Sequence, residues 1–204
     1  MINIGKLFVI SAPSGSGKTT LCKKLIEVFN STLSYSTSYT TRPPRKNEIN
    51  GRDYYFVDLD TFKNMIVKDE FLEWAKVYND YYGTAKKQIE QILSTNKDVV
   101  LDIDPQGAMQ VKSKMKNAVL IMILPPRLSV LEERLRMRNT ESEAELRVRL
   151  GNAKNEILNY KHYDYIVIND NVDVAFKELT SIYIAEHCKT VDINDINKII
   201  MLED

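Results

Sequence analysis

Residues 12–19 combine residue types that bind phosphate: small residues, two glycines, a lysine and a hydroxyl. They read Ala-Pro-Ser-Gly-Ser-Gly-Lys-Thr, which is the pattern G-x-x-x-x-G-K-[ST] with Ala12 in place of the first glycine. Gly15 and Gly17 allow the backbone to turn several N–H groups towards one anion, and the helix expected next adds its positive end. Lys18 supplies a full charge for the β- and γ-phosphates, and the hydroxyl of Thr19 can bind Mg²⁺. The pattern therefore predicts an ATP site made by Ala12, Pro13, Ser14, Gly15, Ser16, Gly17, Lys18, Thr19 and Thr20.

Two carboxylates end a later apolar segment and offer a position for the metal. Residues 99–104 read Val-Val-Leu-Asp-Ile-Asp and stand just before Pro105. Phosphate loops of this kind hold Mg²⁺ with the loop hydroxyl and with a carboxylate at the end of a neighbouring strand. One of Asp102 and Asp104 can address the metal, and we expect the other to face a different pocket.

A third group of residues is suited to binding a phosphate monoester. Arg42 and Arg45 lie three residues apart across a Pro-Pro pair, which keeps the backbone between them extended and stiff. Guanidinium groups bind phosphate oxygens in a bidentate manner, and the hydroxyls of Tyr54 and Tyr82 would add donors. These side chains predict that the molecule accepting the phosphoryl group already carries a phosphate.

The composition excludes several classes of protein. Of the 204 residues 44% are hydrophobic, which suffices for one sizeable core, and 28 Lys and Arg balance 28 Asp and Glu. A protein held on nucleic acid by phosphate charge has a basic excess, so no nucleic-acid partner is expected. The longest apolar run, residues 118–126, is about half of the ~20 residues that span a membrane. Cys22 and Cys188 cannot form a disulfide framework, so we expect a cytoplasmic protein. We also expect no membrane contact, and a protein that is a monomer or a homodimer.

The apolar pattern predicts an α/β fold in a single domain spanning residues 1–204. Continuous apolar runs are typical of parallel strands buried on both faces, and four such runs occur at residues 7–10, 99–103, 119–124 and 165–168. Segments with the apolar spacing of helices alternate with these runs, as in an α/β fold. Residues 34–82 are rich in Tyr, Thr and Ser, and we interpret them as an inserted α+β subdomain. The charged residues 137–150 are a second candidate insertion. The core then comprises residues 1–33, 83–136 and 151–190, followed by a tail, 191–204, to which no role is assigned.

Together these segments make the chain resemble the guanylate kinase family. The resemblance runs nearly end to end, and its motifs are moderate individually but jointly very specific. After the phosphate loop they are Thr40-Thr41-Arg42-Pro43-Pro44-Arg45, Asn50-Gly51-Arg52-Asp53-Tyr54, Phe71-Leu72-Glu73-Trp74, Tyr81-Tyr82-Gly83-Thr84 and Leu101-Asp102-Ile103-Asp104-Pro105-Gln106-Gly107. The resemblance implies a P-loop NTPase core whose parallel sheet is flanked by helices, an inserted α+β GMP-binding subdomain and a helical lid. It also implies transfer of the γ-phosphate of Mg-ATP to GMP, and to dGMP as well.

The resemblance implies a role for each matching position. The phosphate of GMP would be held by Arg42, Arg45, Tyr54 and Tyr82, and its guanine would face Ser38, Glu73, Thr84 and Asp104. A carboxylate suits guanine because this base presents N1–H and N2–H₂ donors, whereas adenine presents a bare N1, and a buried polar site left unpaired by the wrong base discriminates strongly.

For the transfer itself, the resemblance implies catalytic roles for Lys18, Arg42, Arg138 and Arg149, the last two as part of a lid formed by residues 137–150. Mg²⁺ would be bound by Thr19 and, through water, by Asp102. Asn169, at the end of the last apolar run, would lie at the adenine of ATP.

Two other functions fit parts of the pattern. A ribose bisphosphate kinase on the same scaffold would keep the phosphate loop, but it does not need the carboxylates of Glu73 and Asp104. A non-catalytic guanylate-kinase-like module that binds phosphopeptides would lose the intact loop, yet Lys18 and Thr19 are present.

Overall fold

The structure, a computed structural model, describes residues 5–77, 79–137 and 143–189, except for the side chains of residues 144 and 145. In these ranges the strands are, in chain order, β1 (Leu7–Ser11), β2 (Leu33–Tyr35), β3 (Tyr39–Thr40), β4 (Tyr55–Phe56), β5 (Phe71–Val77), β6 (Asp80–Ala85), β7 (Asp98–Asp102), β8 (Val119–Leu124) and β9 (Tyr165–Ile168). The α-helices are α1 (Lys18–Val28), α2 (Leu59–Val67), α3 (Lys86–Ser94), α4 (Pro105–Lys114), α5 (Leu128–Met137), α6 (Glu143–Ile157) and α7 (Val172–His187), and a 3₁₀-helix spans Leu158–His162.

The larger sheet is parallel throughout and has the strand order β2-β7-β1-β8-β9. The four apolar runs of the sequence form β7, β1, β8 and β9, so the predicted α/β fold with a parallel sheet flanked by helices is confirmed. The edge strand β2 has no such run, because only its first residue, Leu33, is buried. It pairs with β7, an arrangement that the sequence pattern did not predict.

Both faces of the central strand β1 are covered, which explains why this strand is continuously apolar. Phe8 and Ile10 of β1 pack on one face, in a core shared with α1 and α7. Their neighbours Leu7 and Val9 pack on the other face, in a core shared with α3 and α4. The strand alternation therefore sends residues 7–10 of β1 into one core or the other, and Ser11, the last residue of β1, is also buried.

A second, four-stranded sheet has the order β4-β3-β6-β5 and is mostly antiparallel. Asp58 caps the N-terminus of helix α2, because its side chain accepts a hydrogen bond from the backbone of Thr61. The helix packs Phe62 against Phe71 of β5 at a ring-centre distance of 4.5 Å. All four strands of this sheet and helix α2 lie within residues 39–85, which largely coincides with the segment 34–82 interpreted as an α+β insertion; Tyr78 lies outside the described residues. This sheet and its loops carry the residues expected to bind the acceptor, among them Glu73, Tyr82 and Thr84.

Helices α5 and α6 share a small apolar core of Leu131, Leu135, Leu146 and Ala153 beside the end of the main sheet. Of the charged segment 137–150, Met137 ends α5 and residues 143–150 lie in α6. Arg138 and residues 190–204 lie outside the described residues. No helix in the described ranges is long and apolar enough to span a membrane.

Candidate active site

The phosphate loop connects β1 to α1 in the order that the sequence predicts. Gly15 and Gly17 have φ angles of +93° and +87°, which side-chain-bearing residues rarely adopt. Among the described residues, the non-glycine positions with positive φ are Asp69 and Asn96. Ala12 is not one of them, so the loop accommodates alanine at the position of the first pattern glycine without backbone strain.

Lys18 crosses from the first turn of α1 to the end of β7. Its Nζ lies 2.8 Å from Asp102 Oδ1 and donates a hydrogen bond to the carbonyl of Ile103 at 2.7 Å. Burial opposes the charge on Lys18, but the attraction and hydrogen bond of Asp102 together outweigh it and raise the pKa of the lysine. Lys18 is therefore positively charged at the mouth of the loop.

Thr19 and Asp102, the two expected metal ligands, lie close together. The Thr19 hydroxyl lies 3.4 Å from Asp102 Oδ2, on the side of the carboxylate away from Lys18. No cluster of three or more His, Cys, Asp or Glu suited to a metal occurs in the described ranges. The two side chains nevertheless fit Mg²⁺, which prefers oxygen ligands and takes most of them from water and substrate phosphates.

Arg42, just after β3, is held tightly by its surroundings. Its Nη2 donates to both carboxylate oxygens of Glu48 at 2.8 and 2.9 Å, and its Nη1 donates to the carbonyl of Pro43 at 2.8 Å. The guanidinium also lies 5.6 Å from the ring centre of Tyr54. The hydrogen bond to Glu48, partly opposed by burial, raises the pKa of Arg42. This arginine therefore has a defined position before any anion arrives.

Glu48 is a residue of this site that the sequence reasoning missed. Besides binding Arg42, its Oε2 accepts a hydrogen bond from the backbone N–H of Arg45 at 2.8 Å. The backbone N–H of Glu48 in turn donates to the carbonyl of Arg45 at 3.0 Å. The only signal for this role in the sequence is the position of Glu48, a carboxylate three residues after Arg45 and therefore close enough to contact both Arg42 and Arg45.

Ser38, Arg45, Tyr54 and Tyr82 line the same cleft as the phosphate loop, and the two tyrosine rings meet edge to face with their centres 6.0 Å apart. Glu73, on β5, also lines this cleft. The side chains expected to contact the acceptor phosphate are thus brought together in space from β3, β6 and the loop before β4.

Glu73 is a buried carboxylate, with 4% of its surface exposed. Burial raises its pKa from the ordinary 4.5 to about 7, and a hydrogen bond from Thr84 opposes that rise. This bond joins Thr84 Oγ1 to Glu73 Oε1 at 2.6 Å. Thr84 itself is fully buried and does not line the cleft, so it contacts the carboxylate and not the open space.

Asp102 and Asp104 line the same cleft, so the expectation that one of them faces a different pocket is wrong, although the two carboxylates have different partners. Residues two apart in a strand share a face, so strand geometry alone would have placed them together. Their partners differ because β7 ends at Asp102, whereas Asp104 caps α4 and accepts a hydrogen bond from the backbone of Gly107 at 2.8 Å. Gly107 also leaves room for Glu73, because a Cβ there would lie 2.7 Å from Glu73 Oε2.

Two further predicted residues lie around the phosphate loop. Arg149, on α6, donates from Nη1 to the hydroxyl of Ser14 at 3.0 Å and lines the cleft. Asn169, immediately after β9, is 5% exposed and does not line the cleft. Its amide nitrogen donates to the carbonyl of Ser16 at 2.8 Å.

The glycine-rich loop, the parallel sheet and the facing arginine and carboxylate positions across one cleft define a P-loop kinase of nucleoside monophosphates. A family model described as guanylate kinase matches residues 4–186. The guanylate kinase of Caldanaerobacter subterraneus subsp. tengcongensis is 49% identical over 190 residues, covering 93% of this chain and 91% of that protein. The guanylate kinase of Geobacter metallireducens is 46% identical over 186 residues, covering 91% of each.

The same relationship is seen in three dimensions. The crystal structure of guanylate kinase from Anaplasma phagocytophilum superposes with a TM-score of 0.76 at 33% identity, covering 92% of this chain and 89% of that one. The chain belongs to the guanylate kinase family. The resemblance noted in the sequence is therefore confirmed.

Proposed function

We propose that the protein is an ATP:GMP phosphotransferase, which transfers the γ-phosphoryl group of ATP to GMP and gives ADP and GDP for purine nucleotide metabolism. One observation carries this proposal: the phosphate loop and the side chains of Arg42, Arg45 and Glu73 line one and the same cleft. A donor triphosphate and an acceptor monophosphate can therefore meet in it. Membership in the guanylate kinase family supports guanine as the acceptor base.

The donor end of the cleft binds the triphosphate of ATP. The backbone N–H groups of the phosphate loop after Pro13 and the positive end of α1 surround the β- and γ-phosphates, and Lys18 adds its charge. Mg²⁺ at Thr19 and, through water, at Asp102 would neutralise charge on the phosphates when it is bound. Arg149 lies beside Ser14 and can follow the γ-phosphoryl group as it moves.

The acceptor end binds the phosphate of GMP. Arg42 presents its remaining N–H groups from a position held by Glu48, and the exposed side chain of Arg45 can close on the same phosphate. The hydroxyls of Tyr54 and Tyr82 add neutral donors. Charge-assisted hydrogen bonds of this kind place the attacking oxygen in line with the γ-phosphate, and positioning is the main contribution to phosphoryl transfer.

Glu73 and Asp104 select the base, together with the hydroxyl of Ser38. A carboxylate at Glu73 accepts from the N1–H and N2–H₂ donors of guanine and would face a lone pair of adenine. Thr84 takes part by donating to Glu73, since its own surface is fully buried. Neither carboxylate contacts a ribose 2′-hydroxyl in this scheme, so dGMP is an acceptor as well.

Several features of the protein complete the proposal. Residues 34–82 act as the GMP-binding subdomain and residues 137–150 as a lid that excludes water, with Arg138, outside the described residues, among its charges. The protein works in the cytoplasm, where its free thiols Cys22 and Cys188 stay reduced, as a monomer or a homodimer.

The experiment that tests this function measures ADP formation from Mg-ATP with GMP, dGMP, AMP, CMP, UMP and a ribose bisphosphate. Rapid turnover with GMP and dGMP alone is expected. Lys18→Ala should nearly abolish transfer, whereas Lys23→Ala, an exposed lysine on the same helix, should leave it unchanged. Glu73→Gln should lower kcat/KM for GMP by orders of magnitude, with the exposed Glu70→Gln as its matched control.

The other outcomes would assign a different function. Turnover only with the sugar bisphosphate would keep the fold and replace the acceptor. A folded protein with no turnover on any acceptor would support a phosphopeptide-binding module. Normal turnover in Lys18→Ala would contradict the assignment of the phosphate loop.

A further inference from the structure

We propose that Asn169 is a positioning residue that serves the ATP site through the phosphate loop and not through the adenine base. The inference rests on the proposed function, because it concerns how that function's donor site is held in shape. It starts from the two facts that Asn169 is buried and that its amide is already engaged within the protein.

The contact joins the end of β9 to the middle of the phosphate loop, residues that lie 153 positions apart in the sequence. Asn169 Nδ2 donates to the carbonyl oxygen of Ser16 at 2.8 Å, and the bond is buried. A buried amide–carbonyl bond is costly to break, because the carbonyl left behind has no water to replace its partner.

The direction of this bond matters for anion binding. The carbonyl of Ser16 and the N–H of Gly17 belong to one trans peptide unit, so they point in opposite directions. An amide that holds the carbonyl on the outer side of the loop directs the N–H of Gly17 to the inner side, where the phosphates bind. A rotation of the same peptide would place the negative end of the carbonyl dipole against them.

The loop is shaped to admit Asn169. A Cβ on Gly17 would lie 2.2 Å from Asn169 Nδ2, so only glycine leaves room for the amide at this distance. Gly17 thus has two reasons to be glycine: its φ of +87° and the close approach of Asn169.

Asn169 is itself held on two further sides. Its backbone N–H donates to the carbonyl of Leu124, at the end of β8, at 2.8 Å. Its own carbonyl accepts a hydrogen bond from Nη2 of Arg134, on α5, at 3.0 Å. The amide is therefore presented to the loop from a rigid support, as a positioning group requires.

Steady-state kinetics with two donors separates this role from a contact with adenine. In Asn169→Asp an anionic oxygen replaces the amide donor and faces the carbonyl of Ser16, so the loop peptide is no longer held. We expect kcat/KM for ATP to fall at least tenfold. For a second donor, the best of CTP, UTP and ITP, we expect a fall that agrees with that for ATP within about twofold. The KM for GMP should stay within twofold of wild type. Asn169→Ala, which removes the donor without adding charge, should show the same pattern with a smaller loss.

The control is Asp170→Asn, the same exchange of acid and amide at the exposed neighbouring residue, for which unchanged kinetics are expected. A loss confined to ATP would show that Asn169 contacts adenine and would overturn the proposal. Unchanged kinetics in both Asn169 variants would overturn it as well. Loss of folded protein would lower kcat and leave both KM values unchanged, and thermal unfolding of each variant checks this directly.

If the wild-type protein does not phosphorylate GMP, the proposed function fails but the test remains. Calorimetric titration of the same variants with Mg-ATP and with the second Mg-nucleotide then measures affinities in place of rates. An equal loss of affinity for both nucleotides would support the positioning role, and a loss for ATP alone would overturn it.

Discussion

The hydrogen bond between Thr84 and Glu73 allows a quantitative test of how the base site works. Thr84→Val keeps the shape of the side chain but removes the hydroxyl that donates to Glu73 Oε1 at 2.6 Å. Because Thr84 is fully buried behind Glu73, the substitution removes no contact with the open cleft. Its effect should therefore act through the ionisation of Glu73 alone.

The magnitude follows from the strength of that bond. A hydrogen bond to a charged group contributes about 1.5–3 kcal/mol, and about 1.4 kcal/mol corresponds to one pH unit in a pKa. Loss of the bond should raise the pKa of Glu73 from about 7 to between about 8 and 9. At pH 7 the ionised fraction then falls from about one half to between about one tenth and one hundredth. If guanine requires the ionised carboxylate, kcat/KM for GMP falls about five- to fiftyfold at this pH.

The assay is the pH profile of kcat/KM for GMP between pH 6 and 9.5, at saturating Mg-ATP, for wild type and Thr84→Val. At saturating Mg-ATP this parameter reports the ionisations of the Mg-ATP-bound enzyme and of free GMP. The phosphate of GMP titrates identically in both measurements, so the ratio of the two profiles isolates the enzyme group. We expect a large ratio at pH 7 that falls below about twofold at pH 9.5.

A ratio that does not change with pH would refute this reasoning, because it would mean that Thr84 acts by direct contact or by packing. A profile in which wild type loses activity as the pH rises through 7 would refute the requirement for an ionised Glu73. Glu73→Gln serves as the reference, since its remaining activity should show no ionisation of this residue.

Three further predictions concern the acceptor clamp, stability and packing. Glu48→Gln should raise the KM for GMP roughly tenfold with a smaller effect on kcat, because Arg42 loses the charged partner that positions it. Initial-rate measurements test this, and a change in kcat alone would contradict it. The pKa of Glu73 is about 7 in the folded protein and about 4.5 in the unfolded chain, which therefore releases its proton first as the pH rises. The free energy of unfolding should thus fall between pH 4.5 and 7, by up to about 3 kcal/mol. Urea titrations of wild type and Glu73→Gln measure this term, and equal slopes against pH would contradict it. Leu131→Ala should destabilise the protein by about 2–5 kcal/mol, because Leu131 is fully buried, and urea unfolding would reject a cavity cost if the loss stayed below about 1 kcal/mol.

Much of the framework could be read from residues adjacent in the sequence. The phosphate loop is built from residues close together in the sequence, because its glycines, lysine and hydroxyl all lie within residues 12–19. The strands β8 and β9 coincide with their apolar runs; β8 is apolar because its residues are almost all buried, whereas the edge strand β9 buries Val167 and exposes Ile166 and Ile168. Strand β2 was missed because an edge strand with one buried residue lacks that signal.

The hydrogen-bond and ion-pair partners of individual side chains could be identified only from the tertiary structure. Asp102 reaches Lys18 because β1 and β7 are neighbours in register, with Ile10 beside Asp102, although the two charged residues are 84 positions apart. Thr84 was expected at the guanine, yet cross-strand pairing with β5 turns its hydroxyl onto Glu73. Glu48 shows the same limit over a short distance, because only the turn at Arg45 brings its carboxylate back to the arginines.

The sequence by itself thus determined the fold class, the family and the chemistry of the phosphate loop, all of which depend on local order and on the spacing of apolar residues. The tertiary structure alone decided which carboxylate meets the lysine, which hydroxyl tunes Glu73 and which amide holds the loop. The physical reason is that hydrogen bonds and ion pairs act over about 3 Å, so their partners are chosen by strand register and helix packing between segments far apart in the chain.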